Sequence, residues 1–152
     1  MALYQSKQIK LGYPIPTPND AVSDIPIICE FVVPAGGLAI NDVIEMGPLP
    51  NNCVPIDGIL HFSAGGASAT ADFGLLSGSY GVNDGARTCG NDFAAAINVA
   101  AAGNARIAKA LISAPQADDT VGWGLKVTGA VWPAAMVVRA ILFVAPEVPG
   151  MT

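Results

Sequence analysis

Residues that could carry out catalysis are few in this chain and are widely spaced. The single histidine, His61, falls on a predicted strand, and the nucleophile and acid that a Ser-His-Asp triad needs beside it are missing from the surrounding sequence. Ser77 and Ser79, on either side of a glycine, do not form the G-x-S-x-G elbow of a hydrolase. We therefore expect His61 to be an ordinary cross-strand side chain and the protein not to be an enzyme.

Metal and cofactor chemistry has equally little support. The three cysteines, Cys29, Cys53 and Cys89, lie far apart, form no CxxC pair and match no zinc-site spacing. Free cysteines are among the most buried residue types, so we expect these to be small core side chains. The Asn-Asp pairs in the loops lack the alternating register of a calcium loop, and no glycine-rich phosphate loop occurs. The sequence predicts no bound metal and no cofactor.

One hydrolytic arrangement stays open as a minor alternative. Asp57 and Asp72 fall on adjacent predicted strands, and glycoside hydrolysis uses two neighbouring carboxylates. Any β-protein offers such a pair, so the signal has little specificity.

The composition excludes several classes of partner. With a net charge of -5 and a pI near 4.5, the chain has no cationic surface for nucleic acid. Its longest apolar run, residues 134–146, contains Arg139 and is too short to span a membrane. The first seven residues lack the apolar stretch of a secretory signal, so we expect synthesis in a cytoplasm. A hydrophobic content of 52% with only 12% charged residues predicts surface that another protein covers.

The pattern of apolar residues predicts an all-β fold. Apolar and polar residues alternate in short segments separated by Gly and Pro turns, without the rhythm of βαβ units. Phe93, Ile97 and Ala101 allow a short helix over residues 93–102 instead. The predicted architecture is an antiparallel β-sandwich, jelly-roll-like, although an immunoglobulin-like sandwich has a similar strand count. The predicted strands are residues 24–33, 40–46, 53–64, 69–76, 106–112, 120–128 and 137–144, the last a central strand covered on both faces.

Two parts of the chain are candidates for contacts with other proteins. Residues 1–20 are predicted to be an extended N-terminal arm preceding a single β-sandwich domain over 21–152, because alternating prolines hold residues 14–18 extended. An arm has little core of its own, so its tyrosines are available to a neighbouring subunit. A Trp and a flexible Met in the connection before the last strand could anchor a partner or cover the core. The candidate interaction residues are Tyr4, Tyr13, Trp132 and Met136.

Four segments resemble the decoration, or cement, proteins of tailed-bacteriophage heads. They are Lys10-Leu11-Gly12-Tyr13-Pro14-Ile15-Pro16, Ile44-Glu45-Met46-Gly47-Pro48-Leu49-Pro50, Gly74-Leu75-Leu76-Ser77-Gly78 and Ala86-Arg87-Thr88-Cys89-Gly90. The resemblance implies a structural virion protein that forms homodimers or homotrimers and binds the outer surface of the major capsid protein lattice. It implies no catalytic residues, and it places the protein on the capsid exterior after synthesis in the host cytoplasm. A carbohydrate- or receptor-binding β-sandwich on the virion surface or tail is the alternative.

Overall fold

A computed structural model describes residues 1–12, 24–107 and 120–146 of the chain. In these ranges nine strands and one helical turn follow one another in an all-β arrangement. The elements are β1 Leu3–Gln5, α1 Lys7–Lys10, β2 Ile25–Val32, β3 Val43–Leu49, β4 Cys53–Phe62, β5 Thr70–Ser79, β6 Ala94–Asn98, β7 Gly103–Arg106, β8 Val121–Thr128 and β9 Val137–Pro146. The described residues include no helix long and apolar enough to cross a membrane.

The strands form two sheets, in which strands from early in the chain pair with strands from late in the chain. Sheet A has the order β1-β3-β8-β5-β6, and sheet B has the order β2-β9-β4-β7. Within them β2 pairs with β9, β3 with β8, β4 with β7 and β5 with β6, all antiparallel. This is one long hairpin folded over on itself, with successive pairs placed alternately in sheet B and sheet A. The predicted jelly-roll-like β-sandwich is confirmed.

The core fills the space between the sheets. Strands of period two turn one face inward, so that Cys29 and Phe31 of β2 and Leu125 of β8 are almost fully buried. Phe73 lies at the centre, with its ring centroid 4.9 Å from that of Phe93 and 5.9 Å from that of Trp123, both edge to face. Such pairs add stabilisation beyond the area they bury.

Residues 94–98 form strand β6 and residues 99–102 form a loop, so the short helix allowed by the sequence over 93–102 is wrong. The N–H of Phe93 donates to Phe73 O, and β6 pairs with β5 from Ala94 onwards. Asp92, just before this strand, accepts from the N–H of Leu75 on β5. The free edge of β5 thus supplies tertiary hydrogen bonds that outweigh a weak local helical pattern.

The last strand is central, as predicted, but only one of its two faces is buried, whereas burial of both faces was predicted. β9 lies between β2 and β4, and its inward residues Val138, Ala140 and Leu142 are fully buried. Val137 and Arg139 are exposed on the other side, so the described part of the chain covers only one face of β9. The sequence misled because apolar residues also occur on the outer face. Of the strand predicted over 106–112, Arg106 ends β7 and residues 108–112 lie outside the described ranges.

The segment predicted as an arm over residues 1–20 is described over residues 1–12. There β1 adds to sheet A as a parallel neighbour of β3. Ser6 is fully buried, its N–H donates to Glu45 O and its hydroxyl donates to Met46 O. Gln8 on α1 accepts from the N–H of Glu30, so the segment contacts both sheets along one edge of the sandwich. Residues 13–20 lie outside the described ranges.

A glycine substitution tests the close packing of sheet A. A Cβ at Gly124 would lie 1.9 Å from Ile44 O, whereas one at Gly36 would meet nothing within 4 Å. We expect Gly124→Ala to lower the free energy of unfolding by about 1–3 kcal/mol or more, because backbone must move apart. Gly36→Ala is the matched control and should leave urea denaturation unchanged. Equal midpoints for the two variants would contradict the described packing.

Candidate functional site

Two of the residues proposed from the sequence as partner anchors are core residues. Trp132 is 1% exposed and Met136 is 2% exposed. The indole N–H of Trp132 donates to Thr70 O, 3.3 Å away, which ties the β8–β9 connection to sheet A. Both side chains are therefore buried within this chain.

Of the two candidate tyrosines, only Tyr4 lies in the described part of the chain. Tyr4 on β1 is half-buried and packs edge to face on Phe31 of β2, with ring centroids 6.2 Å apart. Its ring therefore helps to hold β1 against the sandwich. Tyr13 lies outside the described residues.

At one end of the sandwich, four loops cross between the sheets and lie side by side. We call this surface the loop end; it comprises residues 33–41, 63–69, 99–102 and 129–136. Two of the loops lead from β2 to β3 and from β8 to β9, and two lead from β4 to β5 and from β6 to β7. Because β2 pairs with β9 and β3 with β8, the first two loops run side by side, and the same holds for the other two.

The hydrogen bonds between paired strands continue into these loops, where the chain turns from one sheet to the other. Leu38 and Trp132 exchange two N–H···O bonds of 3.0 Å between the first pair of loops. In the second pair the N–H of Gly65 donates to Val99 O at 2.8 Å, and the N–H of Val99 donates to Ala69 O at 3.0 Å. The loop end is therefore a surface whose neighbouring loops are hydrogen-bonded to each other and anchored on buried side chains.

Small residues make this close pairing possible. Gly37 has a φ of 71°, and a Cβ there would lie 2.6 Å from Trp132 O. Gly129 has a φ of 72°, and a Cβ there would lie 2.4 Å from Ser68 O. Only glycine combines positive φ with such an approach at no steric cost.

The loop end carries no charged side chain. Its largest exposed side chains are Val131, 63% exposed, and Ile40, 47% exposed. The carboxylate next to it, Asp42, is buried and accepts from the N–H groups of Ala2 and Ala39. The surface thus offers apolar contacts and peptide groups, which suits an uncharged protein surface. Sequence reasoning missed it because the loops come together only in the folded hairpin.

The outer face of sheet B is a second surface on which charges occur in pairs. Glu30 on β2 pairs with Arg139 on β9, and Asp57 on β4 pairs with Arg106 on β7. Hydrogen bonds from these arginines lower the pKa of each carboxyl below its ordinary value. Between the two ion pairs lies an apolar row across the strands, Ile28, Ile141 and Ile59, of which Ile28 is 54% exposed.

A buried ion pair holds the long loop after β5 over the outer face of sheet A. Arg87 Nη1 lies 2.8 Å from Glu45 Oε1, and both side chains are almost fully buried. Arg87 also donates through Nε to Ser77 O and through Nη1 to Val82 O. The N–H of Gly81 and the amide of Gln5 donate to the Glu45 carboxylate. Residues 80–92 thus form a lid over sheet A, and residues 77–79 belong to the end of β5.

The arrangement of the remaining reactive groups does not favour catalysis. Asp57 and Asp72 lie on opposite outer faces of the sandwich, so the paired-carboxylate alternative is wrong. His61 is exposed beside Arg139 and Asn104. Among the described residues no group of three His, Cys, Asp or Glu could hold a metal ion.

The three cysteines are buried and free, as expected. Burial raises the pKa of the Cys29 and Cys89 thiols to about 12 and raises that of Cys53 as well. With pKa values of about 12, the Cys29 and Cys89 thiols supply almost no thiolate near neutral pH.

The chain matches two solved structures of phage capsids along most of its length. A chain from the capsid of Ralstonia phage GP4 is 32% identical; the match covers 97% of this chain and 99% of that one, with a TM-score of 0.86. A chain from the capsid asymmetric unit of cyanophage Pam1 is 17% identical, with 90% and 96% covered and a TM-score of 0.52, which supports the fold alone. No protein-family model and no curated sequence matches.

The first of these comparisons defines the class of protein as structural proteins of phage heads. The chain belongs to the same family as the protein from the capsid of Ralstonia phage GP4, because the identity extends over nearly the whole of both chains.

The buried ion pair predicts a large effect from a nearly isosteric change. Glu45→Gln leaves the Arg87 guanidinium buried without its counter-charge, and we expect a loss of about 3–5 kcal/mol in unfolding free energy. Asp57→Asn, which removes an exposed pair, is the control and should leave the urea midpoint nearly unchanged. If the two variants lose similar stability, the lid is not held by this pair.

The cysteine environments predict low reactivity in the folded state. At pH 8 we expect no rapid reaction of the thiols with Ellman's reagent, because burial blocks access and disfavours the thiolate. All three should react at once after unfolding in guanidinium chloride. Rapid reaction of a thiol in the native protein would show that the core around it opens.

Proposed function

We propose that this chain is a non-enzymatic decoration protein of a phage head, which binds the outer surface of the major capsid protein lattice and stabilises the shell. The observation that carries the proposal is the full-length similarity to a protein of the Ralstonia phage GP4 capsid. Copies of the chain associate as dimers or trimers in this proposal, and assembled particles carry it on their exterior. Tyr13 and the rest of the arm beyond residue 12 are proposed to contact a neighbouring subunit.

The geometry supports a binding role rather than a chemical one. The body is a sandwich with a continuous core, and its reactive groups are dispersed over opposite faces or buried. Two of its surfaces are electrically neutral, the loop end without charged side chains and the outer face of sheet B with paired ones. A chain with a net charge of -5 therefore keeps neutral areas where protein surfaces can meet without repulsion.

Such a protein stabilises a shell by mass action. Anything that binds the assembled state more tightly than the disassembled one shifts the equilibrium towards assembly. On a lattice, many copies act together, so each copy can bind with modest affinity.

The alternative function, carbohydrate or receptor binding, has less support from the surface. Sugar sites generally combine exposed aromatic rings with converging polar groups. None of the aromatic side chains among the described residues is exposed, and both tryptophans are buried. The alternative thus lacks the stacking surface it would need in this part of the chain.

Particle composition and rebinding test the proposed function. We expect quantitative mass spectrometry of gradient-purified particles to find this chain at a simple ratio to the major capsid protein. The purified chain should also rebind, by co-sedimentation, to shells of the same virus produced without it. A few copies per particle would indicate a tail or spike component, and absence from particles or failure to rebind would overturn the proposal.

A further inference from the structure

We propose that the loop end is the surface that docks on the shell, where it contacts an uncharged surface of the major capsid protein. This inference rests on the proposed function and assigns it to particular residues. Val131 and Ile40 are its apolar anchors, and the surrounding Ala, Gly and Ser residues allow peptide groups to approach closely.

The distribution of charge along the sandwich supports this assignment. Exposed acids lie away from the loop end: Asp24 precedes β2 at the opposite end, and Asp84 lies in the lid over sheet A. The loop end has no charged side chain, and Asp42 directly behind it is buried and hydrogen-bonded. A molecule with charged side chains on its other surfaces and none at one end meets another protein best at the uncharged end, because no ion has to be desolvated there.

The same charges favour the shell over a second copy as the occupant. Two copies joined at their loop ends would use up both uncharged surfaces and leave outward only surfaces that carry charged side chains, such as the opposite end with the exposed Asp24. The shell would then have to bind one of these charged surfaces. The outer face of sheet B lies on a side of the sandwich and has its charges neutralised in pairs, so it is free for contacts between neighbouring copies.

The hydrogen bonds within the loop end lower the conformational entropy that is lost on binding. Its loops are already joined by the Leu38–Trp132 and Gly65–Val99 hydrogen bonds, so docking orders little additional backbone. Its exposed side chains are short or β-branched and lose few rotamers. Small apolar contacts are therefore sufficient for specific binding.

A charge placed on the loop end tests the assignment against a matched control. Val131 is 63% exposed on the loop end, and Val82 is 51% exposed on the lid over sheet A. We expect Val131→Glu to bind shells produced without this chain about tenfold more weakly than the natural chain, or worse. Val82→Glu adds the same charge elsewhere and should bind like the natural chain. Ile40→Glu is a second loop-end variant and should also bind weakly.

Salt dependence and association state are measured with the same proteins. We expect binding of the natural chain to change little between about 0.05 and 0.5 M NaCl, because the contact contains no ion pairs. Circular dichroism checks the fold of each variant, and Ile40→Glu decides the question if Val131→Glu does not fold. Light scattering without shells should give the same association state for the natural chain and the loop-end variants.

The other possible results distinguish failure of the proposed function from failure of the loop-end assignment. If the natural chain does not bind shells, the proposed function fails and the inference with it. If the natural chain binds and both folded loop-end variants bind equally well, the shell docks elsewhere, and only the inference is overturned. If the loop-end variants change the association state without shells, the loop end joins copies of this chain, which also overturns it.

Discussion

The pairing of each early strand with its counterpart late in the chain is the constraint from which the rest of the structure follows. Because β2–β9 and β4–β7 form one sheet while β3–β8 and β5–β6 belong to the other, paired segments must turn together from sheet to sheet. Their hydrogen bonds continue through those corners. The corners therefore tolerate only small residues where two backbones approach, and four of them lie together at one end of the molecule.

This constraint also explains the composition. The corner loops consist mostly of Ala, Gly and other small residues, which raises mean hydropathy to +0.49 without forming a membrane segment. Glycines on sheet A have a related role, since Gly74 and Gly122 leave room for the lid and for the Glu45 carboxylate. The high apolar content noted in the sequence thus reflects close backbone packing and an uncharged end as well as a core.

Period-two patterns were sufficient to predict most strands and the two-sheet architecture, because one face of each is buried. They could not decide residues 93–102, where the edge of β5 supplies hydrogen bonds that no local pattern encodes. Side-chain type alone suggested Trp132 and Met136 as partner anchors, yet both are buried beneath loops distant in sequence. The loop end itself is assembled from four separated segments, so only the topology reveals it.

The pairing of β2 with β9 has a consequence for how the chain folds. More than a hundred residues separate partners such as Val32 and Val137, so closing this ladder requires a long loop of chain. Contacts of such high sequence separation make folding slow. Among the described strands β2 pairs only with β9, so β2 has no strand partner until β9 has been synthesised. Completion of the four-stranded sheet therefore waits for the end of translation, and the edge of β2 stays open to other contacts until then.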